Sequence, residues 1–186
     1  MKFYRLFLLL ALLVSFGAKA QLESTPGNST DSLELRFGRT MYDTLPSLAD
    51  SVFIALRTKK FESLLPFIAT VAMIKEEYDT LDLEYLDRLA GVKATYMVNK
   101  LRKDHLKMMK IAKIQHLNIR NMELVKKRYR VRTHQEGHEY GEVIYLCKSG
   151  NHQFYISFVA LKMLDHWFLA DELHIEELLK PSGGGK

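Results

Sequence analysis

The chain contains a single cysteine, Cys147, and only four prolines and one tryptophan among its 186 residues. One cysteine excludes an intrachain disulfide framework and a thiolate metal cluster. It lies in an apolar stretch, where a thiol behaves as a small buried hydrophobe. A glycine-rich phosphate loop and a Gly-x-Ser-x-Gly nucleophile turn are also missing from the sequence. No motif in the chain therefore assigns a catalytic activity.

Long apolar runs are confined to the N-terminus. Met1-Lys2-Phe3-Tyr4-Arg5 leads into residues 6–16, which are apolar except for Ser15 and are followed by Gly17-Ala18-Lys19-Ala20. A basic start, a short apolar centre and small residues near Ala20 predict a signal peptide over residues 1–20, since a membrane span needs about 20 apolar residues. We therefore expect a periplasmic or secreted protein. The expected organisation is a tether and arm at 21–46, a single α+β domain at 47–180 and a disordered tail at 181–186.

Helical spacing of apolar residues fills the first half of that domain. A first helix is expected to begin at Ser47, whose hydroxyl can cap free backbone amides. A second segment spans residues 61–78, where Pro66 is expected to interrupt or kink it. A third spans residues 83–117, with Gly91 as a potential break.

The last third of the chain, residues 125–175, has the alternation of β-strands. Four strands are predicted at residues 122–133, 140–148, 153–164 and 167–174, joined by short turns rich in Gly, Asn and Asp. One helical turn is expected over residues 176–180. The predicted fold class is α+β, with N-terminal helices packed on a four-stranded antiparallel sheet.

The third predicted strand is apolar on both faces and therefore needs two covers. Phe154, Ile156 and Phe158 point to one face, while Val159 and Leu161 point to the other. The helices cover one face. The other is expected to be covered by the arm around Phe37 and Tyr42, by a second subunit or by a ligand.

Two stretches carry a resemblance to a known superfamily. They are Ala55-Leu56-Arg57-Thr58-Lys59-Lys60-Phe61-Glu62-Ser63-Leu64 and Leu161-Lys162-Met163-Leu164-Asp165-His166-Trp167-Phe168-Leu169. They resemble the early helix-turn-helix and the final hairpin of the nuclear-transport-factor-2-like, or cystatin-like cone, superfamily. The resemblance covers most of residues 47–175 and implies a curved, cone-like sheet in a secreted bacterial member of unknown function. The superfamily includes isomerases, polyketide cyclases and binding modules, so the fold does not imply one function.

The cone implied by this resemblance directs attention to polar residues of the strands. The ligand-pocket candidates are Tyr129, Tyr145, Tyr155, Ser157 and Asp171, with His174 as a further strand residue of the same kind. Which of them line the pocket depends on the strand register, because a slip of one residue exchanges the two faces.

Neither a metal site nor a cofactor is expected. The chain has seven histidines, but His134 and His138 are separated by a predicted turn at Gly137 and so lack the two-ligand geometry of a helix. Glu142 and Asp171 are conceivable as a carboxylate pair for glycoside hydrolysis, but the sequence does not fix their separation.

Basic residues dominate residues 100–132. Lys107, Lys110 and Lys113 could bind an anionic envelope surface, while the ordinary alternative is a solvated helix face. Nucleic acid is disfavoured as a partner, because only Tyr129 is interleaved with these bases.

The leading hypothesis is a secreted, non-enzymatic domain with a cone-like pocket for a small apolar or amphipathic ligand or a protein partner. A homodimer through the outer sheet face is expected with it. The alternative is a pocket enzyme of the isomerase or polyketide-cyclase type, with a strand Asp, His or Tyr as base.

Overall fold

A computed structural model describes residues 38–79, 81–134 and 137–178, in which helices precede strands. The helices are α1 (Leu45–Leu56), α2 (Val71–Glu77) and α3 (Leu83–Ile114), with short 3₁₀ helices at Phe61–Phe67 and Ile119–Asn121. The strands are β1 (Glu123–Thr133), β2 (Glu139–Ser149), β3 (His152–Met163) and β4 (His166–Glu177). They form one antiparallel sheet in the order β1-β2-β3-β4. The predicted α+β class, with helices on a curved four-stranded antiparallel sheet, is confirmed.

Some sequence predictions lie outside the described residues. These are the signal peptide at 1–20, most of the tether and arm including Phe37, and the C-terminal tail. The predicted helical turn at 176–180 falls only partly within them, and there β4 continues as a strand through Glu177 instead.

Threonine caps set the starts of the first two helices and move their predicted boundaries. The Thr44 hydroxyl accepts a hydrogen bond from the Ser47 amide at 3.3 Å, so Ser47 lies inside α1 rather than capping it. Thr70 accepts from the Met73 amide in the same way at 3.3 Å. Residues 61–78, where Pro66 was expected to interrupt or kink a helix, are divided into the 3₁₀ helix that contains Pro66 and the separate α2.

The long helix α3 continues through Gly91, which the sequence offered as a potential break. Asp82 caps it by accepting from two backbone amides, those of Glu84 and Tyr85, at 3.1 and 3.2 Å. Packing of α3 along β4 outweighs the cost of roughly 1 kcal/mol that a glycine imposes inside a helix. Despite the 32 residues of α3, no helix in the described part of the chain is both long and apolar enough to cross a membrane.

The pairing of β2 with β3 is regular from Tyr140 opposite Leu161 to Ser149 opposite His152. Because side chains alternate along a strand, this register defines two faces of the sheet. Face A carries Val143, Tyr145, Cys147, Phe154, Ile156, Phe158 and Ala160, which are all buried. Face B carries Tyr140, Glu142, Ile144, Leu146, Tyr155, Ser157, Val159 and Leu161, which are all half-buried.

Helix α1 packs on face A together with the C-terminal half of α3. The Tyr145 hydroxyl donates a hydrogen bond to the Ala49 carbonyl of α1, and its ring meets that of Phe53 edge-on at a centroid distance of 5.4 Å. Cys147 is buried in the same core, and burial raises its pKa to about 12. A thiol with so high a pKa is a packing residue rather than a nucleophile.

Face B is covered at one end only. A second apolar cluster joins the β3–β4 hairpin to α2, the N-terminal half of α3 and the arm; its buried members are Met41, Ala69, Met73, Ile74, Ala90, Ala94, Met163 and Phe168. Of the covers expected from the sequence, the arm takes part through Met41, whereas Tyr42 packs with the face A core. The helices supply most of the cover of face B, although the sequence predicted that helices would cover only one face of the sheet.

His105 of α3 is a buried polar side chain with an unusual environment. It is 3% exposed, and its ring lies 5.9 Å from that of Phe61. Neither of its ring nitrogens has a hydrogen-bond partner among the described residues. Burial lowers its pKa, and the charge of Glu62 only partly offsets this. His105 is therefore held neutral in the fold.

Gly91 of α3 and Gly141 of β2 provide a matched test of packing, because only one of them has close neighbours. A Cβ at Gly91 would meet nothing within 4 Å, so Gly91→Ala should raise the free energy of unfolding by up to about 1 kcal/mol through helix propensity. A Cβ at Gly141 would lie 2.5 Å from Leu45 Cδ2 and 3.0 Å from Trp167 Cζ3. Gly141→Ala should therefore destabilise the fold by about 1–3 kcal/mol. Urea denaturation measures both, and effects of the same sign would contradict this packing.

Replacement of His105 by Leu should remove a loss of folding stability that grows as the pH falls. The lowered pKa of His105 means that the unfolded chain binds its proton first as the pH falls, so the wild type loses stability below about pH 6.5. The stability advantage of His105→Leu should therefore grow between pH 7 and pH 5.5 in urea denaturation. The exposed His174→Leu is the control; an advantage of His105→Leu that does not change with pH would contradict the prediction.

Candidate functional site

A cavity of about 590 Å³ lies on face B, between the sheet and the helices α2 and α3. All four strands and both helices contribute to its wall. The lining residues are Ile74, Tyr78, Lys93, Tyr96, Met97, Arg130, Arg132, Thr133, His134, His138, Tyr140, Glu142, Val159, Leu161, Met163, Ala170, Asp171 and Glu172.

The sheet register arranges the cavity floor in two rows that cross the strands. One row runs from Arg132 through Tyr140 and Leu161 to Phe168, and the other runs from Arg130 through Glu142 and Val159 to Asp171. Each row is basic on β1 and apolar on β3. Since neighbouring strands lie about 4.8 Å apart, the basic and apolar parts are separated by about 10 Å.

A bulge in β1 determines which of its side chains enter these rows. The register shifts between Leu124 and Lys126, so Val125 is an extra residue. Beyond it, Lys126, Arg128, Arg130 and Arg132 all pair with face B residues of β2. These four basic side chains thus continue the face that holds the cavity.

Bulges in β4 bring three consecutive residues to the cavity. Val159 pairs with Asp171 while Ala160 pairs with Leu169, which leaves Ala170 unmatched. A second extra residue lies between Asp171 and His174, where Glu172 has a φ of +56°. Regular alternation would present only every second residue, so the bulges explain why Ala170, Asp171 and Glu172 all line the cavity.

The helical wall combines apolar and aromatic side chains. Tyr78 follows α2, and Lys93, Tyr96 and Met97 project from α3 at spacings of three and four residues, which share one helix face. The ammonium of Lys93 lies 4.1 Å from the centroid of the Tyr78 ring, in cation–π contact. This contact joins the two helices above the cavity.

Asp171 forms an ion pair with a lysine that lies behind the cavity wall. Its Oδ1 accepts from Lys100 Nζ at 2.8 Å and from the Glu172 amide at 2.7 Å. Lys100 also pairs with Asp104 one turn along α3. Burial alone would lower the pKa of Lys100, but the hydrogen bonds and charges of the two carboxylates outweigh burial and raise it. Asp171 is therefore an ion-pair member and not an isolated base.

The five pocket candidates from the sequence are distributed over different environments. Asp171 lines the cavity, whereas Tyr129, Tyr145, Tyr155 and Ser157 do not. Tyr145 is on face A with its hydroxyl bonded to α1, and Tyr129 pairs with Val143 on the same face at the edge strand. Tyr155 and Ser157 are on face B but lie further along β3, opposite Leu146 and Ile144.

Other lining residues were not selected from the sequence. Arg130 and Arg132 belong to the basic stretch 100–132, and Met97 lies within the predicted third helix, but nothing in the sequence linked them to one site. The link is the register of β1 with β2 and the position of α3, which are non-local. Val159 and Leu161 were placed by the sequence on a strand face that a ligand could cover, whereas Lys93 had no signal beyond helical periodicity.

The anionic-surface candidates lie apart from the cavity. Lys107, Lys110 and Lys113 are exposed on α3 and do not line it. Their role toward an anionic surface stays a prediction.

The structure places the residues that were considered above for metal binding and glycoside hydrolysis. No group of three or more His, Cys, Asp or Glu side chains that could hold a metal ion occurs within residues 38–79, 81–134 and 137–178. His134 and His138 both line the cavity, joined by a backbone hydrogen bond of 2.9 Å across the Gly137 turn. Glu142 and Asp171 pair with Val159 from opposite sides, but Asp171 is already engaged in an ion pair with Lys100.

Removal of the Lys100 ammonium should destabilise the β4 side of the cavity. Lys100→Met keeps an apolar stem and leaves Asp104 and Asp171 without their shared counter-charge. We expect the free energy of unfolding at pH 7 to fall by about 1–3 kcal/mol in urea denaturation. Lys103→Met, at an exposed position of the same helix, should change it by less than about 0.5 kcal/mol. Equal losses in the two variants would contradict a structural role for this ion pair.

Comparisons with known proteins add one structural likeness. No protein-family model matches the chain, and a search of curated proteins gives no match. Among solved structures, the chain is similar to the crystal structure of a cystatin-like protein from Ruminococcus gnavus ATCC 29149, with 13% sequence identity and a TM-score of 0.47. The match covers 82% of this chain and 48% of that one, so the chain spans about half the length of that protein. At this level of similarity the likeness assigns neither a family nor a function.

Proposed function

We propose that this domain is a non-enzymatic binding module that holds a small apolar or amphipathic molecule in the face B cavity. The observation that carries the proposal is the apolar lining: Val159, Leu161 and Met163 of β3 face Ile74 and Met97 of the helices across about 590 Å³. Ligand pockets of proteins have volumes of about 300–1,000 Å³ and are lined mainly by apolar side chains. Burial of an apolar chain there would stabilise the complex by about 25 cal/mol for each Å² removed from water.

The enzymatic alternative needs a desolvated base directed into the cavity. Asp171 is the strand carboxylate nearest to that role, and it is already bonded to Lys100 and to the Glu172 amide. A carboxylate oxygen that already accepts two hydrogen bonds is less available to accept a proton from a substrate. The proposal of a binding module is therefore preferred to an isomerase or cyclase.

Membership of the nuclear-transport-factor-2-like superfamily is part of the same proposal, and it agrees with helices on a curved antiparallel sheet. Export to a periplasm or the medium stays a prediction, since residues 1–37 lie outside the described part. Homodimer formation through the outer sheet face stays a prediction as well.

A bulky side chain in the cavity should abolish ligand binding without changing face A. Val159→Trp places an indole on the cavity floor, whereas Ser157→Trp places one on the same face of the same strand, two residues outside the cavity. Displacement of the neutral dye Nile red by decan-1-ol measures binding in the full chain. We expect Val159→Trp to weaken binding at least about tenfold and Ser157→Trp to leave it within about twofold.

Dye bound elsewhere on the chain is common to both variants and cancels in this comparison. Far-ultraviolet circular dichroism establishes that both are folded. Equal decan-1-ol affinities in folded Val159→Trp and Ser157→Trp proteins would refute the cavity as the binding site.

A further inference from the structure

The β1 side of the cavity carries two arginines, Arg130 and Arg132. Arg130 and Arg132 line the cavity and are exposed. Neither takes part in an ion pair with another residue of the described ranges, whereas Lys100, which lies behind the cavity wall, pairs with Asp104 and Asp171. A guanidinium presents several donors in a plane and pairs bidentately with carboxylate or phosphate oxygens.

The neighbours of the two arginines differ in charge. Arg130 lies opposite Glu142 in the sheet, so its charge is partly offset, whereas Arg132 lies opposite the neutral Tyr140. Thr133, His134 and His138 line the same end of the cavity and add potential hydrogen-bond donors. The attraction for an anion is therefore expected to be strongest at Arg132.

The apolar part of the cavity begins about 10 Å away, over Val159 and Leu161 of β3, and continues under Ile74 and Met97. No acidic side chain of the described lining lies in the row that joins Arg132 to Leu161. A molecule that occupies this row would meet a positive end, a tyrosine and then an apolar end.

We infer that the cavity binds single-chain anionic amphiphiles, with the carboxylate or phosphate head at Arg132 and Arg130 and the alkyl chain over β3. This inference rests on the proposed binding function and adds the chemical class of the ligand. A neutral amphiphile fills the apolar end but leaves the arginines without an anion.

Nile red displacement by decanoate, decyl phosphate and decan-1-ol at pH 8 separates the head group from the chain. In the wild type we expect decanoate to bind about tenfold more tightly than decan-1-ol, because one charge-assisted hydrogen-bond pair contributes roughly that gain in affinity. Arg132→Gln should remove this difference while decan-1-ol affinity stays within about twofold. Arg128→Gln is the matched control, since Arg128 shares the strand face but lies outside the cavity.

Two further measurements test the electrostatic origin of the preference. Glu142→Gln should strengthen decanoate binding by a few fold, because it removes a like charge beside Arg130. An increase in salt from about 20 mM to about 500 mM should weaken decanoate binding and leave decan-1-ol binding unchanged. Comparison of decanoate with decyl phosphate shows which anionic head is preferred.

The outcomes separate this inference from the proposed function. Binding of decan-1-ol and decanoate with equal affinity, both lost in Val159→Trp, would overturn the anion preference and keep the cavity. Loss of the preference in Arg128→Gln as strongly as in Arg132→Gln would also overturn it, since charge in general rather than this site would be responsible. No saturable binding of any of the three molecules would overturn both.

Discussion

The regular pairing of β2 with β3 is the constraint on which the other features depend. It places every second side chain of two central strands against α1 and the remainder on the opposite face. Face A is filled by aromatic and aliphatic side chains, fixed further by the hydrogen bond from the Tyr145 hydroxyl to the Ala49 carbonyl. With one face closed in this way, any site on these central strands must form on face B.

The position of the cavity follows from how far the helices reach across face B. Met73 and Ile74 of α2 and Ala90 and Ala94 of α3 close over the β3–β4 hairpin. Toward β1 no comparable apolar layer occurs in the described part of the chain, and the floor becomes basic. The cavity therefore lies at the boundary between a packed and a solvated part of one sheet face, which gives it two chemically different ends.

The irregular geometry of β4 connects this floor to the long helix. Two extra residues relative to β3 bend the strand, and the positive φ of Glu172 is accompanied by a hydrogen bond from its own amide to Asp171. Asp171 thereby reaches Lys100. Sequence alternation could not predict this arrangement, since an inserted residue is detectable only against the partner strand.

The sequence predicted those features that depend on local periodicity. The strand positions and the division of β3 into Phe154, Ile156 and Phe158 against Val159 and Leu161 agree with the observed burial. Helix boundaries were predicted less accurately, because several nearby hydroxyl side chains can cap a helix and the sequence does not show that Thr44 and Thr70 do so. At Gly91, tertiary packing keeps α3 helical. Among the pocket candidates only Asp171 lines the cavity, since face and position along a strand depend on register.

The basic side chains of β1 have a consequence for solubility. β1 is an edge of the sheet, so one side of its backbone is not paired within the sheet, and such strands can template the addition of a strand from another molecule. Exposed Val125, Tyr129 and Val131 would favour that process. Lys126, Arg128, Arg130 and Arg132 oppose it, because a second β1 would bring the same charges alongside. The basic side chains of β1 thus oppose aggregation through this edge of the sheet.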